Sequence, residues 1–214
     1  MPPSSPRPIV DRWATAIEHL SGLDERWARK ISRVGACQLR PRRDRFATLV
    51  RSIIGQQIST KGAATIDARL RALADGPHEP ASLLALGEAG LRSAGLSGVK
   101  ARYILHLSEA VASGQLTLQH AGRWSDEVVI ERLTQVKGIG RWTAEMFLVF
   151  ALNRPDILSV GDLGIRVGIR RHYDLSELPT PAECVTLAEP WRPFRSVAMW
   201  YLWREGDLPK SDVG

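Results

Sequence analysis

The chain has 214 residues, of which 44% are hydrophobic and 24% charged, a balance typical of one large globular domain or two closely joined lobes. Its longest apolar run, residues 146–152, is far too short for a membrane span, and the N-terminus lacks the apolar core of a signal peptide, so we do not expect secretion. The formal net charge of +6 favours a polyanionic partner, either nucleic acid or an anionic membrane surface. Two cysteines exclude a four-cysteine iron–sulfur cluster and a disulfide scaffold, and we expect buried thiols in a cytoplasmic protein.

The hydrophobic periodicity predicts an all-α protein. Four prolines in residues 1–8 predict a disordered tail. Apolar residues at helical spacing then predict helices over 9–20 and 23–34, and a long helix from Phe46 that pauses near Gly55 and resumes over 59–74. Two short pieces over 81–86 and 88–93, and helices over 98–113 and 125–134, follow. The remaining pattern predicts a tight hairpin over 136–140, a helix over 141–153, a loop over 154–161, and helices over 162–172, 181–189 and 193–205. Alternating runs of β-branched residues are absent, so no strand is predicted.

The most informative segment is Leu133-Thr-Gln-Val-Lys-Gly-Ile-Gly-Arg-Trp-Thr-Ala144. Its two glycines permit a sharp turn between two helices, after which backbone N–H groups from Ile139 to Trp142 should point outwards at a helix N-terminus. Such groups, aided by the helix dipole, form an anion site suited to a DNA phosphate. A simple turn between two helices is the alternative interpretation. The residues we expect to contact DNA here are Lys137, Gly138, Ile139, Gly140, Arg141 and Thr143.

This segment resembles the helix-hairpin-helix of DNA repair proteins. Asp162, 20 residues after Trp142, lies where the helix-hairpin-helix DNA glycosylase superfamily carries a catalytic aspartate. Three further segments resemble its alkylation-repair branch, the short AlkA-like form of DNA-3-methyladenine glycosylase II. They are Ile53-Ile-Gly-Gln-Gln-Ile-Ser-Thr60, residues 95–104 and residues 191–203.

The resemblance implies a two-lobed, all-helical fold with an active-site cleft between the lobes. Residues 9–42 and 162–214 would form a terminal lobe. Residues 43–161 would form a central lobe that contains the helix-hairpin-helix at about 126–153. The implied partner is double-stranded DNA containing alkylated bases, bound by a monomer without any membrane association.

The implied activity is hydrolysis of the N-glycosidic bond of an alkylated purine, of the 3-methyladenine or 7-methylguanine type, after base flipping. Because such a base is cationic and leaves readily, one carboxylate can stabilise the oxocarbenium-like sugar and activate water. Asp162 is the candidate, with a purely structural helix cap as the alternative. Trp142 stands where the bifunctional branch carries a Schiff-base lysine, so base release without strand cleavage is expected. Trp203 and Met146 are the other base-pocket candidates, although core packing explains Met146 equally well.

Gln57 corresponds in this resemblance to the wedge that fills the gap left by the flipped base, with an ordinary glutamine on a helix surface as the alternative. Gln56, Ser97 and Lys100 are further candidates for contacts in the same groove, with a solvated surface as the alternative. The resemblance also implies a structural Na⁺ or K⁺ ion held by the backbone carbonyls of Thr134, Val136 and Ile139, and no other cofactor. A non-catalytic DNA-binding module, or a glycosylase of this fold for oxidised or deaminated bases, remains open from the sequence.

Overall fold

The computed structural model describes residues 12–207, so the predicted tail over residues 1–8 lies outside the described part. The helices in chain order are α1 (Ala14–Leu23), α2 (Glu25–Val34), α3 (Arg45–Gly55), α4 (Thr60–Leu73), α5 (Pro80–Ser93), α6 (Gly98–Ala112), α7 (Asp126–Thr134), α8 (Arg141–Phe150), α9 (Leu163–His172), α10 (Pro181–Leu187) and α11 (Arg195–Asp207). Two short 3-10 turns lie at Ala121–Arg123 and Glu189–Trp191. Residues 12–207 contain no strand, which confirms the predicted all-α class. Within the same range no helix combines the length and the apolar character that crossing a membrane requires.

The helices form two units. The terminal unit consists of residues 12–39 and 155–207, and the central unit of residues 40–154. The sequence had predicted the junctions at residues 42 and 161. The terminal unit therefore combines both ends of the described chain, and the central unit is one continuous segment.

The terminal unit is built around large aromatic side chains. Trp27 of α2 and Trp191 are fully buried and meet edge to face, with ring centroids 5.3 Å apart. The Tyr201 hydroxyl on α11 donates a 3.0 Å hydrogen bond to the Gly35 carbonyl after α2. Trp191 and Trp200 are both buried in the core of this unit.

The central unit shows how local sequence sets helix boundaries. Asp44 caps α3 by accepting the Ala47 N–H at 2.9 Å, and Ser125 caps α7 in the same way. α5 is interrupted at Gly87, where φ is +62° and ψ −176°, so the two short pieces that the sequence predicted are both present. The core of this unit is apolar, with Ile53 and Ile54 of α3 fully buried.

Candidate active site and DNA interface

Asp162 is the N-cap of α9 and is half-buried. Its Oδ1 accepts the Ile165 N–H at 2.9 Å, the bond of a helix N-cap. The same oxygen accepts a 3.4 Å bond from the Trp203 indole Nε1 on α11. The carboxylate is therefore held by two donors at a helix N-terminus, where the helix dipole favours negative charge. Capping and a chemical role are compatible at this residue.

Gly164 allows Trp203 to approach Asp162. A Cβ atom at Gly164 would lie 3.0 Å from Asp162 Oδ1 and 3.5 Å from Trp203 Cδ1. At Gly168 a Cβ atom would meet Leu202 Cβ at 2.8 Å, so α9 and α11 are in close contact there. Gly161, by contrast, has open space around it, because no heavy atom would lie within 4 Å of a Cβ at that position.

The hairpin between α7 and α8 has the turn that its glycines predicted. Gly138 has φ +97°, and a Cβ atom there would lie 2.1 Å from Tyr103 Cγ, so Tyr103 of α6 packs directly against the turn. Gly140 is the N-cap of α8 and has no side chain to cap the helix, so the amides of the first turn receive no side-chain acceptor from it. The Ile139 N–H does not point outwards as predicted, because it donates to the Val136 carbonyl at 3.0 Å.

Three residues predicted to contact DNA have hydrogen-bond partners within the central unit. Thr143 is 1% exposed, and its Oγ1 accepts a 3.1 Å bond from Gln56 Nε2. Gln56 Nε2 also donates to the Gly138 carbonyl at 3.1 Å. The Lys100 ammonium donates to the carbonyls of Ile54 and Gln56 at 2.9 and 2.6 Å. Burial lowers the pKa of this ammonium below its ordinary value. These three side chains are therefore bonded within the central unit, and their contacts with DNA stay a prediction.

The other predicted contacts differ in their surroundings. Lys137 is exposed at the tip of the hairpin. The Arg141 Nε donates to the buried Glu145 carboxylate at 2.9 Å, which offsets part of its charge. Gln57 is exposed between α3 and α4 and has φ +56°, an uncommon conformation for a residue other than glycine. The Ser97 hydroxyl caps α6 by accepting the Lys100 N–H at 3.3 Å.

The pocket candidates are divided between the units. Trp142 is half-buried at the second position of α8 in the central unit, and Trp203 is half-buried on α11 in the terminal unit. Met146 is only 4% exposed, which agrees with its alternative assignment to the core.

Within residues 12–207 no group of three or more His, Cys, Asp or Glu side chains could hold a metal ion. The carbonyls suggested for a monovalent ion belong to the hairpin. Thr134 is the last residue of α7, and the Val136 carbonyl already accepts the Ile139 N–H. Backbone oxygens are the hard donors that alkali-metal ions prefer, so this donor set suits such an ion chemically.

Comparison with known proteins identifies the family. A model of the HhH-GPD superfamily base excision DNA repair proteins matches residues 50–193. The chain belongs to this superfamily. The HhH-GPD chain is 38% identical over 208 residues to DNA-3-methyladenine glycosylase 1 of Schizosaccharomyces pombe, covering 94% of this chain and 90% of that protein. The solved complex of that enzyme with abasic DNA superposes with a TM-score of 0.83 and covers 91% of this chain and 98% of the solved one.

A DNA-3-methyladenine glycosidase structure from Bacillus halodurans is 37% identical, with a TM-score of 0.73 and coverage of 89% of this chain and 88% of that one. These relatives confirm the predicted resemblance to the alkylation-repair branch. The residue that sequence reasoning missed is Tyr103, which packs against the hairpin. Its partner Gly138 lies in the turn between α7 and α8, so no local pattern pointed to this contact.

Proposed function

We propose that this HhH-GPD protein is a monofunctional DNA glycosylase that removes alkylated purines of the 3-methyladenine or 7-methylguanine type from double-stranded DNA. The observation that carries the proposal is the Asp162 carboxylate at the N-terminus of α9, bonded by the Trp203 indole. The relative with 38% identity is named for release of 3-methyladenine, which supports the choice of substrate.

The reaction requires one carboxylate and one water molecule. Alkylation makes the purine cationic, so the bond between C1′ and the purine nitrogen breaks with both electrons going to the base, which leaves as a neutral molecule. Asp162 would stabilise the positive charge that develops on the sugar and accept a proton from the water that adds to C1′. The products are the free base and an abasic site, and the proton taken by Asp162 returns to solvent.

No lyase step belongs to the proposal. A Schiff-base mechanism needs a nucleophilic amine, and Trp142 supplies an indole at the position where the resemblance places lysine in the bifunctional branch. An indole face also attracts a cationic purine through stacking and cation–π interaction, a contribution of about 0.5–2 kcal/mol.

DNA binding in this proposal rests mainly on the hairpin. The first-turn amides of α8 and the Lys137 ammonium would contact phosphate groups, which position a duplex without reading its sequence. The exposed Gln57 would enter the groove at the flipped base, with Ser97 on the neighbouring surface. A Na⁺ or K⁺ ion on the Thr134, Val136 and Ile139 carbonyls would add positive charge beside the phosphate.

We expect a monomer, because the five large apolar side chains exposed in residues 12–207 come from five different segments: Ile58, Leu73, Val99, Leu163 and Val185. A few exposed apolar side chains are ordinary for a monomer. Light scattering coupled to size exclusion tests this expectation, and a dimer mass would contradict it.

The test of the function is base release from methylated duplex DNA by the wild type and by Asp162→Asn. Asparagine caps a helix about as well as aspartate, so the variant should fold. We expect it to lose at least about 100-fold in rate while still binding abasic duplex DNA. Asp75→Asn is the matched control, because Asp75 is exposed in the α4–α5 loop and has φ +51°, which asparagine tolerates. Absence of release by the wild type, or full activity of Asp162→Asn, would refute the proposal.

A further inference from the structure

The segment that follows α3 carries the exposed Gln57 and is tied to two other elements of the central unit. α3 ends at Gly55, and its last carbonyls lack helical donors, as at any helix C-terminus. Lys100 supplies the missing donor, since its ammonium bonds the carbonyls of both Ile54 and Gln56. The Gln56 carbonyl belongs to the peptide group that leads into Gln57. Lys100 therefore fixes the orientation of the peptide on which Gln57 stands.

The Gln56 side chain extends the same connection to the hairpin. Its single amide nitrogen donates to the Gly138 carbonyl and to Thr143 Oγ1, both at 3.1 Å. An amide nitrogen has two N–H donors, so both are in use. One bond reaches the turn and the other reaches the first helical turn of α8. Gln56 thus joins the hairpin to the segment that carries Gln57.

Tyr103 completes the arrangement from α6. It lies three residues after Lys100, on the same side of that helix, and its ring packs against Gly138. One turn of α6 therefore supports the Gln57 segment through Lys100 and the hairpin through Tyr103. The φ of +56° at Gln57 is unfavourable for a side-chain-bearing residue and persists where the surroundings impose it.

We propose that Gln56 and Lys100 are positioning residues that hold Gln57 and the Gly138 hairpin in one fixed arrangement, so that groove insertion and phosphate contact occur together. The inference rests on the proposed function only for the insertion of Gln57 into DNA. Neither side chain touches DNA in this account. Both act through the backbone that they hold.

A double-mutant cycle on binding to abasic duplex DNA tests the coupling. Gln56→Met keeps the length and the neutral charge of the side chain but removes both N–H donors. We expect Gln57→Ala to weaken binding about tenfold in the wild type and less than about twofold in the Gln56→Met background. A purely stabilising role for Gln56 would instead give multiplicative losses, and that result would overturn the inference.

Three measurements make the outcome specific. Gln115→Met, at an exposed loop residue, is the matched control and should leave the full effect of Gln57→Ala. Lys100→Met should reduce the Gln57 effect as Gln56→Met does, although it also removes a charge. Circular dichroism establishes whether each variant is folded. If Gln56→Met is unfolded, Gln56→Asn, with a shorter amide side chain, takes its place. Because the readout is binding, a protein that binds abasic DNA without releasing methylated bases would refute the proposed function and leave this test intact.

Discussion

Replacing Gly138 with alanine is expected to destabilise the central unit, because two costs coincide at this position. A Cβ atom would lie 2.1 Å from Tyr103 Cγ and 2.5 Å from Tyr103 Cβ, far inside normal contact. The φ of +97° adds about 1–2 kcal/mol for a residue with a side chain, and displacement of the tyrosine adds about 1–3 kcal/mol of overpacking. The free energy of unfolding should therefore fall by about 2–5 kcal/mol.

Thermal unfolding followed by circular dichroism measures this loss. For a chain of this size each kcal/mol lowers Tm by about 2–4 °C, so a decrease of about 4–20 °C is expected. Gly140→Ala is the internal control, since nothing lies within 4 Å of a Cβ there and φ is −90°. It should cost about 1 kcal/mol or less, the difference between glycine and alanine as N-caps. Tyr103→Ala should be much less harmful in the Gly138→Ala background than alone. Equal stability of the two glycine variants would refute the reasoning.

Three further outcomes are expected. Gly164→Ala should slow base release severalfold, because its Cβ would displace Asp162 or the Trp203 indole beside it. Gly161→Ala has open space around its Cβ and should leave the rate unchanged. Equal rates of base release by the two variants would contradict this. Burial lowers the pKa of His172 to about 4, so the unfolded state binds more protons than the folded state between about pH 6.5 and pH 4. About 2–3 kcal/mol of stability should therefore be lost as the pH falls through that window. Urea titrations should show a smaller loss for His172→Phe, and an identical loss would argue against this. Lys137→Ala should reduce the slope of log K against log salt for duplex DNA by about 1, and an unchanged slope would remove Lys137 from the phosphate contacts.

Local sequence was sufficient for most of the helices. Caps such as Asp44, Ser97 and Asp162 act within three residues of themselves, so a single segment contains the whole interaction. The interruption of α5 at Gly87 was also predictable, because it too depends on a residue within the segment itself. The helix predicted over residues 141–153 ends at Phe150, and Asn153 lies in a left-handed conformation with φ +55°. The residues just beyond Phe150 are still apolar, so the hydrophobic pattern does not show that the helix ends there.

The site was predictable in its residue types and less so in their partners. Asp162, the hairpin glycines and the exposed Lys137 lie in settings that suit the roles predicted for them. Gln56 and Lys100 looked like surface residues because their partners lie 44 to 87 positions away in the chain. A polar residue beside a predicted groove has the same local pattern whether it contacts DNA or supports the residue that does. Only the fold separates the two cases.

The order in which the two units are completed follows from how the chain is divided between them. During synthesis the central unit, residues 40–154, has been made in full before α9, α10 and α11 exist. The terminal unit must wait, because α2 finds its partners on α11: Lys30 and Arg33 both pair with Glu205, about 175 residues later. Until the last helix is released, Trp27 has no Trp191 to pack against. A nascent or C-terminally shortened chain would thus expose the apolar and cationic face of α2, and such a surface favours aggregation and proteolysis until α11 covers it.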